Sequence, residues 1–98
     1  RGGLNIRATD VESALYEHPG VREAAVVGVE HPVLGEDVVG FVVLTEAGAA
    51  TADELIAWCK QRVADYATPR RLYLVDELPR NATGKVLKVE LKQHPLLK

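Results

Sequence analysis

Apolar positions along the 98 residues fall into short blocks, and their spacing changes from block to block. The first block is helical: Val11, Ala14, Leu15 and His18 share one face, and Thr9-Asp10-Val11-Glu12 places a carboxylate three residues after a hydroxyl. That is the pattern of a capping box, and it predicts a helix starting at Thr9 and ended by Pro19-Gly20. Residues 21–29 read as a strand, because Ala24 to Val29 is an apolar run too brief for a buried helix and bounded by turn residues. Val38 to Thr45, rich in β-branched side chains, reads as a second strand, and the two are expected to pair antiparallel. The connection from Glu30 to Asp37 carries Pro32 and Gly35, exceeds a tight hairpin and is expected to be an exposed loop.

Helical spacing returns after Thr51-Ala52-Asp53-Glu54, a second capping box, with Leu55, Ile56, Cys59 and Val63 forming an inner stripe as far as residue 64. Trp58 lies off that stripe, either padding the edge of the core, the commoner case, or forming part of a surface that meets another domain. Arg71 to Val75 alternates as a third, short strand, joined to the second by a helical crossover expected to be right-handed. A final helix follows Lys85, with Leu87 and Leu91 inward and Lys88 and Lys92 outward, until Pro95 stops it. Three strands covered by about three helices make a small α+β domain, and 98 residues suit one domain spanning 1–98.

Composition narrows the possibilities. With 47% hydrophobic but only 5% aromatic residues, the chain can bury one modest aliphatic core. No stretch approaches the roughly 20 apolar residues of a membrane-spanning helix. Cys59, the single cysteine, cannot form an internal disulfide, and a reducing, cytoplasmic setting is expected. The net charge of −2 conceals a division: residues 1–59 balance to −7 and residues 60–98 to +5. Charge separated in this way predicts an anionic partner on one side of the domain, such as phosphates or a carboxylate. Nucleic acid is not expected, because the pI is near 5.9 and no basic run is interleaved with aromatics. No Gly-rich Walker loop, metal-ligand spacing or nucleophilic triad is present, and His18, His31 and His94 are expected to be ordinary helix-end or loop residues.

The most informative segment is Leu78-Pro79-Arg80-Asn81-Ala82-Thr83-Gly84-Lys85-Val86-Leu87-Lys88. Pro79 fixes its own φ and pushes Leu78 to an extended shape, so the preceding strand stops there. Asn81, Ala82 and Thr83 form a polar turn, and Gly84 tolerates a positive φ that would aim the next side chain outward. Lys85 is then an ammonium on a four-carbon stem, placed to meet an anion from outside the domain.

That segment, followed by Leu91, resembles the last core motif of the adenylate-forming superfamily, which includes acyl-CoA and aryl-CoA synthetases, luciferases and the adenylation domains of peptide synthetases. Gly2-Gly3-Leu4-Asn5-Ile6 with Asp10-Val11-Glu12 resembles the family's inter-domain motif. His18-Pro19-Gly20-Val21, Ala24-Ala25-Val26-Val27-Gly28, Gly35-Glu36 and Tyr66-x-x-Pro69 stand between the two in family order. The resemblance covers essentially the whole chain and implies a mobile C-terminal lid domain. It would serve a larger enzyme whose own N-terminal domain binds ATP, magnesium and a carboxylic acid.

By that resemblance, a carboxylate attacks the α-phosphate of ATP to give an acyl-adenylate, and the thiol of CoA then displaces AMP. Lys85 corresponds to the lysine that enters the active site for adenylation. Gly2, Gly3, Leu4 and Asn5 would line the tunnel that pantetheine follows in a second pose of the domain. Arg80 is expected to contact ligand or the partner domain, to brace its loop, or simply to be solvated, and Arg70 and Arg71 to meet CoA phosphates or solvent. Ala67 stands where the family often has a lysine, and the hinge residue lies upstream of Gly2-Gly3. Leu87 stands where peptide-synthetase adenylation domains usually carry aspartate, which favours a CoA ligase for fatty or aryl acids. The alternatives are a carrier-protein-loading adenylation domain and a non-catalytic, standalone binding module. The chain is expected to be a piece of a longer polypeptide and to be inactive alone.

Overall fold

The strands of this chain carry apolar side chains at consecutive positions, so both faces of any sheet they form need cover. The computed structural model, which describes residues 8–33, 35–64 and 67–97, meets that requirement with two layers around one three-stranded sheet. Its elements are α1 (Ala8–Tyr16), β1 (Val21–His31), β2 (Gly35–Leu44), α2 (Ala52–Lys60), β3 (Arg71–Leu74), α3 (Lys88–Lys92) and a 3-10 turn at Pro95–Leu97. The sheet order is β1-β2-β3, with β1 antiparallel to β2 and β3 parallel to it. The α+β class and the three strands match the sequence reading.

Alternation along each strand sorts the core into two clusters. Ala24, Val26, Val38 and Val42 point to one face, where Val11 and Leu15 of α1 and Leu55 and Cys59 of α2 cover them. Ala25, Val27, Val39, Phe41 and Val43 point to the other, under Leu78 and Leu91. The second layer is therefore built mostly from the segment that carries Lys85.

α2 begins as its sequence dictates: Thr51 Oγ1 accepts from the Glu54 N–H at 3.1 Å, and Glu54 Oε1 accepts from the Thr51 N–H at 2.8 Å. Trp58 fills the seam at the edge of the core, donating its Nε1–H to the Ala14 carbonyl at 2.7 Å with the Arg62 guanidinium 3.3 Å over its ring. The first helix departs from expectation. It already includes Ala8, so Thr9 is not its cap, and Glu12 looks away from the helix terminus. Glu12 Oε2 accepts the N–H of Val26 at 2.8 Å and lies 2.7 Å from Lys88 Nζ. A backbone donor on the outer edge of β1 that a free sheet would leave open is thus closed by a side chain, which protects the edge strand.

Two more corrections concern polar positions. The segment 30–37 is not an exposed loop: the ladder continues to Glu30↔Glu36 and His31↔Gly35, and Gly35 adopts φ 85° at the turn. Ladder hydrogen bonds do not depend on side-chain polarity, and the charge of buried Asp37 is met by Arg70 and Arg71 from a distant part of the chain. Nor does the division of charge along the sequence survive as a division in space. Glu12, Glu17, Glu23 and Asp37 of the acidic half pair with Lys88, Arg62, Arg80 and the Arg70–Arg71 couple of the basic half. Lys88, expected to point to solvent, is among these clasps.

Candidate functional site

The loop of Lys85 is closed at its base by an antiparallel bridge between Arg80 and Val86, and the Leu87 N–H donates to the Pro79 carbonyl at 2.8 Å. Asn81 organises the interior. Its Oδ1 accepts three hydrogen bonds, from the Thr83 N–H at 3.0 Å, the Thr83 hydroxyl at 2.7 Å and the Lys85 N–H at 3.0 Å. Its backbone carbonyl accepts from the Gly84 N–H at 2.9 Å, and its N–H donates to the Lys85 carbonyl at 3.0 Å. The backbone of Lys85 is thus tied at both its N–H and its carbonyl, while the side chain is exposed. Among the described residues, its ammonium forms no ion pair, a state it shares with Lys60 and Lys92.

Gly84 sits at φ 90°, in the left-handed region where side chains are strained. A Cβ there would meet nothing within 4 Å, so a substitution has room and only the backbone resists it. Gly84→Ala is expected to cost about 1 kcal/mol of stability, read from urea denaturation, with Gly84→Asn recovering part of it because asparagine tolerates a positive φ. Equal losses for the two variants would show that the penalty is not conformational.

Arg80 is engaged with the loop itself. One guanidinium nitrogen donates to the Gly84 carbonyl at 2.6 Å and the other to Glu23 Oε1 on β1 at 2.6 Å. One planar guanidinium that donates to a loop carbonyl and to a carboxylate of β1 fixes geometry across the gap, so Arg80 staples the loop to the sheet. Asn81, expected in a polar turn, turns out to organise the loop, and Glu23 is a support that the sequence reading missed. The Asn-x-Thr spacing signals the turn centred on Asn81, whereas nothing local marks Glu23, whose partner is 57 residues away.

Gly2, Gly3, Leu4 and Asn5, the expected tunnel residues, lie outside the described residues, as does Tyr66. Thr68 and Pro69 are buried at the start of β3, and Arg70 and Arg71 follow with their guanidinium groups at Asp37. Asp37 Oδ1 is 3.0 Å from Arg70 Nε yet receives no aligned hydrogen bond, so its compensation is electrostatic rather than directional. His18 and His94 do belong to helix ends and loops: each Nδ1 accepts a backbone N–H two residues on, from Gly20 at 2.9 Å and Leu96 at 3.1 Å. Cys59 is fully buried, and burial pushes its thiol up from 9.0 to about 11 despite the nearby Arg62, which leaves it an inert core residue rather than a nucleophile. Among the described residues, no group of histidine, cysteine, aspartate and glutamate side chains could hold a metal ion. No helix among them is long and apolar enough to cross a membrane.

What this arrangement can do is present one positive charge, on a rigid loop, to an anion that approaches from outside. Comparison with known proteins gives the family of the chain. The chain is 45% identical over 92 residues to the 2-succinylbenzoate–CoA ligase of Geobacillus kaustophilus, covering 94% of this chain and 19% of that protein. It is 44% identical over 94 residues to the 4-chlorobenzoate–CoA ligase of a Pseudomonas species, covering 95% of this chain and 18% of that protein. Its fold superposes on a crystal structure of a Brucella canis acyl-CoA synthetase with a TM-score of 0.85 at 41% identity, over 93% of this chain and 17% of that one. The chain therefore spans about a fifth of the length of the relatives it matches. Residues 10–85 match the AMP-binding enzyme C-terminal domain, and the chain belongs to that family.

Proposed function

We propose that these residues form the mobile C-terminal domain of a longer, AMP-forming acid–CoA ligase, cytoplasmic in keeping with its lone reduced thiol, and that Lys85 assists the adenylation half-reaction. The observation that carries this reading is the Lys85 loop: a backbone locked by Asn81 and Arg80 holds out an ammonium that no described carboxylate neutralises. In adenylation two anions meet at phosphorus and negative charge builds up on its oxygens. A positioned cation in a site closed to water lowers that barrier more than one free in solvent. Arg80 serves as the brace that keeps Lys85 aimed. Gly2, Gly3, Leu4 and Asn5 are assigned to the pantetheine path, where backbone without Cβ atoms admits a thin ligand. ATP, its magnesium and the acid are assigned to the preceding part of the polypeptide.

Relatives named for two different acids resemble this chain almost equally. The choice of acid is therefore assigned to the rest of the enzyme as well. Given ATP, CoA and a panel of carboxylic acids, the full-length polypeptide is expected to release AMP and form a thioester, while these 98 residues alone give no acid-dependent ATP–pyrophosphate exchange. Exchange by the 98 residues alone would overturn the division of labour. Transfer to a carrier protein in preference to CoA would move the enzyme to the carrier-loading class.

A further inference from the structure

The segment that carries Lys85 is suspended between two ion pairs. Upstream of the lysine, Arg80 meets Glu23 of β1; downstream of it, Lys88 Nζ lies 2.7 Å from Glu12 Oε2 of α1. The downstream anchor falls where the segment supports itself least. α3 has five residues, no side-chain cap at Leu87 and one buried residue, Leu91, while Val89 is 72% exposed. A helix so short is not stable by itself. Val86 and Leu91 press the segment onto the second core cluster, but apolar burial is non-directional and does not fix how the segment is turned.

Glu12 can supply that direction because it is itself held. Val11 is fully buried beside it and Leu15 one turn on, its own side chain is 17% exposed, and the oxygen that meets Lys88 also accepts the Val26 N–H at 2.8 Å. One turn further along α1, the Tyr16 hydroxyl donates to the Ala24 carbonyl at 3.4 Å, so the helix grips the edge of β1 at two points. α1 covers one face of the sheet and the Lys85 segment the other. The Glu12–Lys88 pair therefore reaches around the edge strand and ties the two layers together.

We propose that Glu12 is a positioning residue for adenylation: by pairing with Lys88 while gripping β1, it anchors the downstream end of the segment and keeps the Lys85 ammonium aimed. This rests on the reading of Lys85 as the adenylation lysine. The competing role is a latch that protects the edge strand and serves the domain as a whole.

In the full-length enzyme, Glu12→Gln keeps an oxygen for the Val26 N–H and removes the charge that Lys88 meets. It is expected to lower kcat for acyl-adenylate formation about fivefold, the worth of a partly exposed ion pair. The KM for ATP, and thioester formation from a supplied acyl-adenylate, should stay within about twofold. Lys88→Met should do the same, and the double variant should be no worse than either alone. In a Lys85→Ala background, Glu12→Gln should change adenylation by less than about twofold, because no ammonium is left to aim. Equal slowing of both half-reactions, or a further fivefold loss in the Lys85→Ala background, would assign Glu12 to the latch and overturn the proposal. Faster adenylation in Glu12→Gln would overturn it too, since the carboxylate would then act by repelling anions.

Amide hydrogen exchange needs no turnover. The Lys85 and Leu87 N–H groups, which donate to Asn81 Oδ1 and the Pro79 carbonyl, should exchange about fivefold faster in Glu12→Gln, with the amides of α2 unchanged. Unchanged exchange at Lys85 and Leu87 refutes the anchor. If Lys85→Ala fails to slow adenylation selectively, the catalytic reading of Lys85 falls alone, and the exchange rates still decide whether Glu12 holds the segment.

Discussion

Replacing Lys85 by alanine in the full-length enzyme is expected to slow acyl-adenylate formation by about 10²–10³, the range seen when one preorganised electrostatic stabiliser is removed. Thioester formation from a supplied acyl-adenylate should stay close to the wild-type rate, because the second pose proposed for the domain would withdraw the lysine from the phosphate before that step. The loop should also survive the change: its hydrogen bonds run through the Lys85 backbone, through Asn81 and through Arg80, and none uses the ammonium. Quenched-flow measurement of the two half-reactions checks the prediction. Equal losses in both steps would mean that Lys85 acts on the domain as a whole, and the catalytic assignment would be abandoned.

The second large effect lies in the core that supports the loop. Phe41 is fully buried on β2, with Tyr73 5.6 Å away and His94 5.1 Å away between ring centroids, in the cluster that includes Leu78 and Leu91. These neighbours come from both sides of the Lys85 segment, so Phe41 is the surface on which that segment is laid. Truncation to alanine removes the transfer energy of the ring and leaves a cavity that a layer of short helices cannot easily collapse into. The expected cost is about 3–5 kcal/mol, a large share of the roughly 5–15 kcal/mol that holds a typical domain folded. Urea denaturation of Phe41→Ala reads the effect directly, and Val89→Ala, at a position 72% exposed, should change stability by less than about 0.5 kcal/mol. A loss below about 1 kcal/mol for Phe41→Ala would show that the second layer does not depend on the sheet as described.

Local chemistry was legible residue by residue. The second capping box reports a bond over three residues, and it formed as read at Thr51 and Glu54. Gly84 was expected to tolerate a positive φ, and it adopts one. Apolar runs too short for helices became β1 and β2, because burial on two faces needs no alternation. Where a local pattern had a distant competitor, the reading failed. Thr9 to Glu12 has the same spacing as Thr51 to Glu54, but the Val26 N–H and Lys88 claim the Glu12 carboxylate. Pro32, Gly35 and the length of the connection pointed to a loop as far as Asp37, whereas the ladder runs on through it and its carboxylate meets two arginines more than thirty residues further on.

The sequence by itself therefore determined the class of fold, the strands and helices, the left-handed turn and the lysine beyond it, since each depends on bonds or steric limits within a few residues. Only the tertiary structure decided which charges are spent and which remain available. Ion pairs between the acidic first half and the basic second half consume Glu12, Glu23, Asp37, Arg80 and Lys88, while Lys85 stays exposed and without an ion pair among the described residues. Pairing of that kind depends on distances that exist only after the chain has folded, because Coulomb attraction falls with separation in space and is indifferent to separation in sequence.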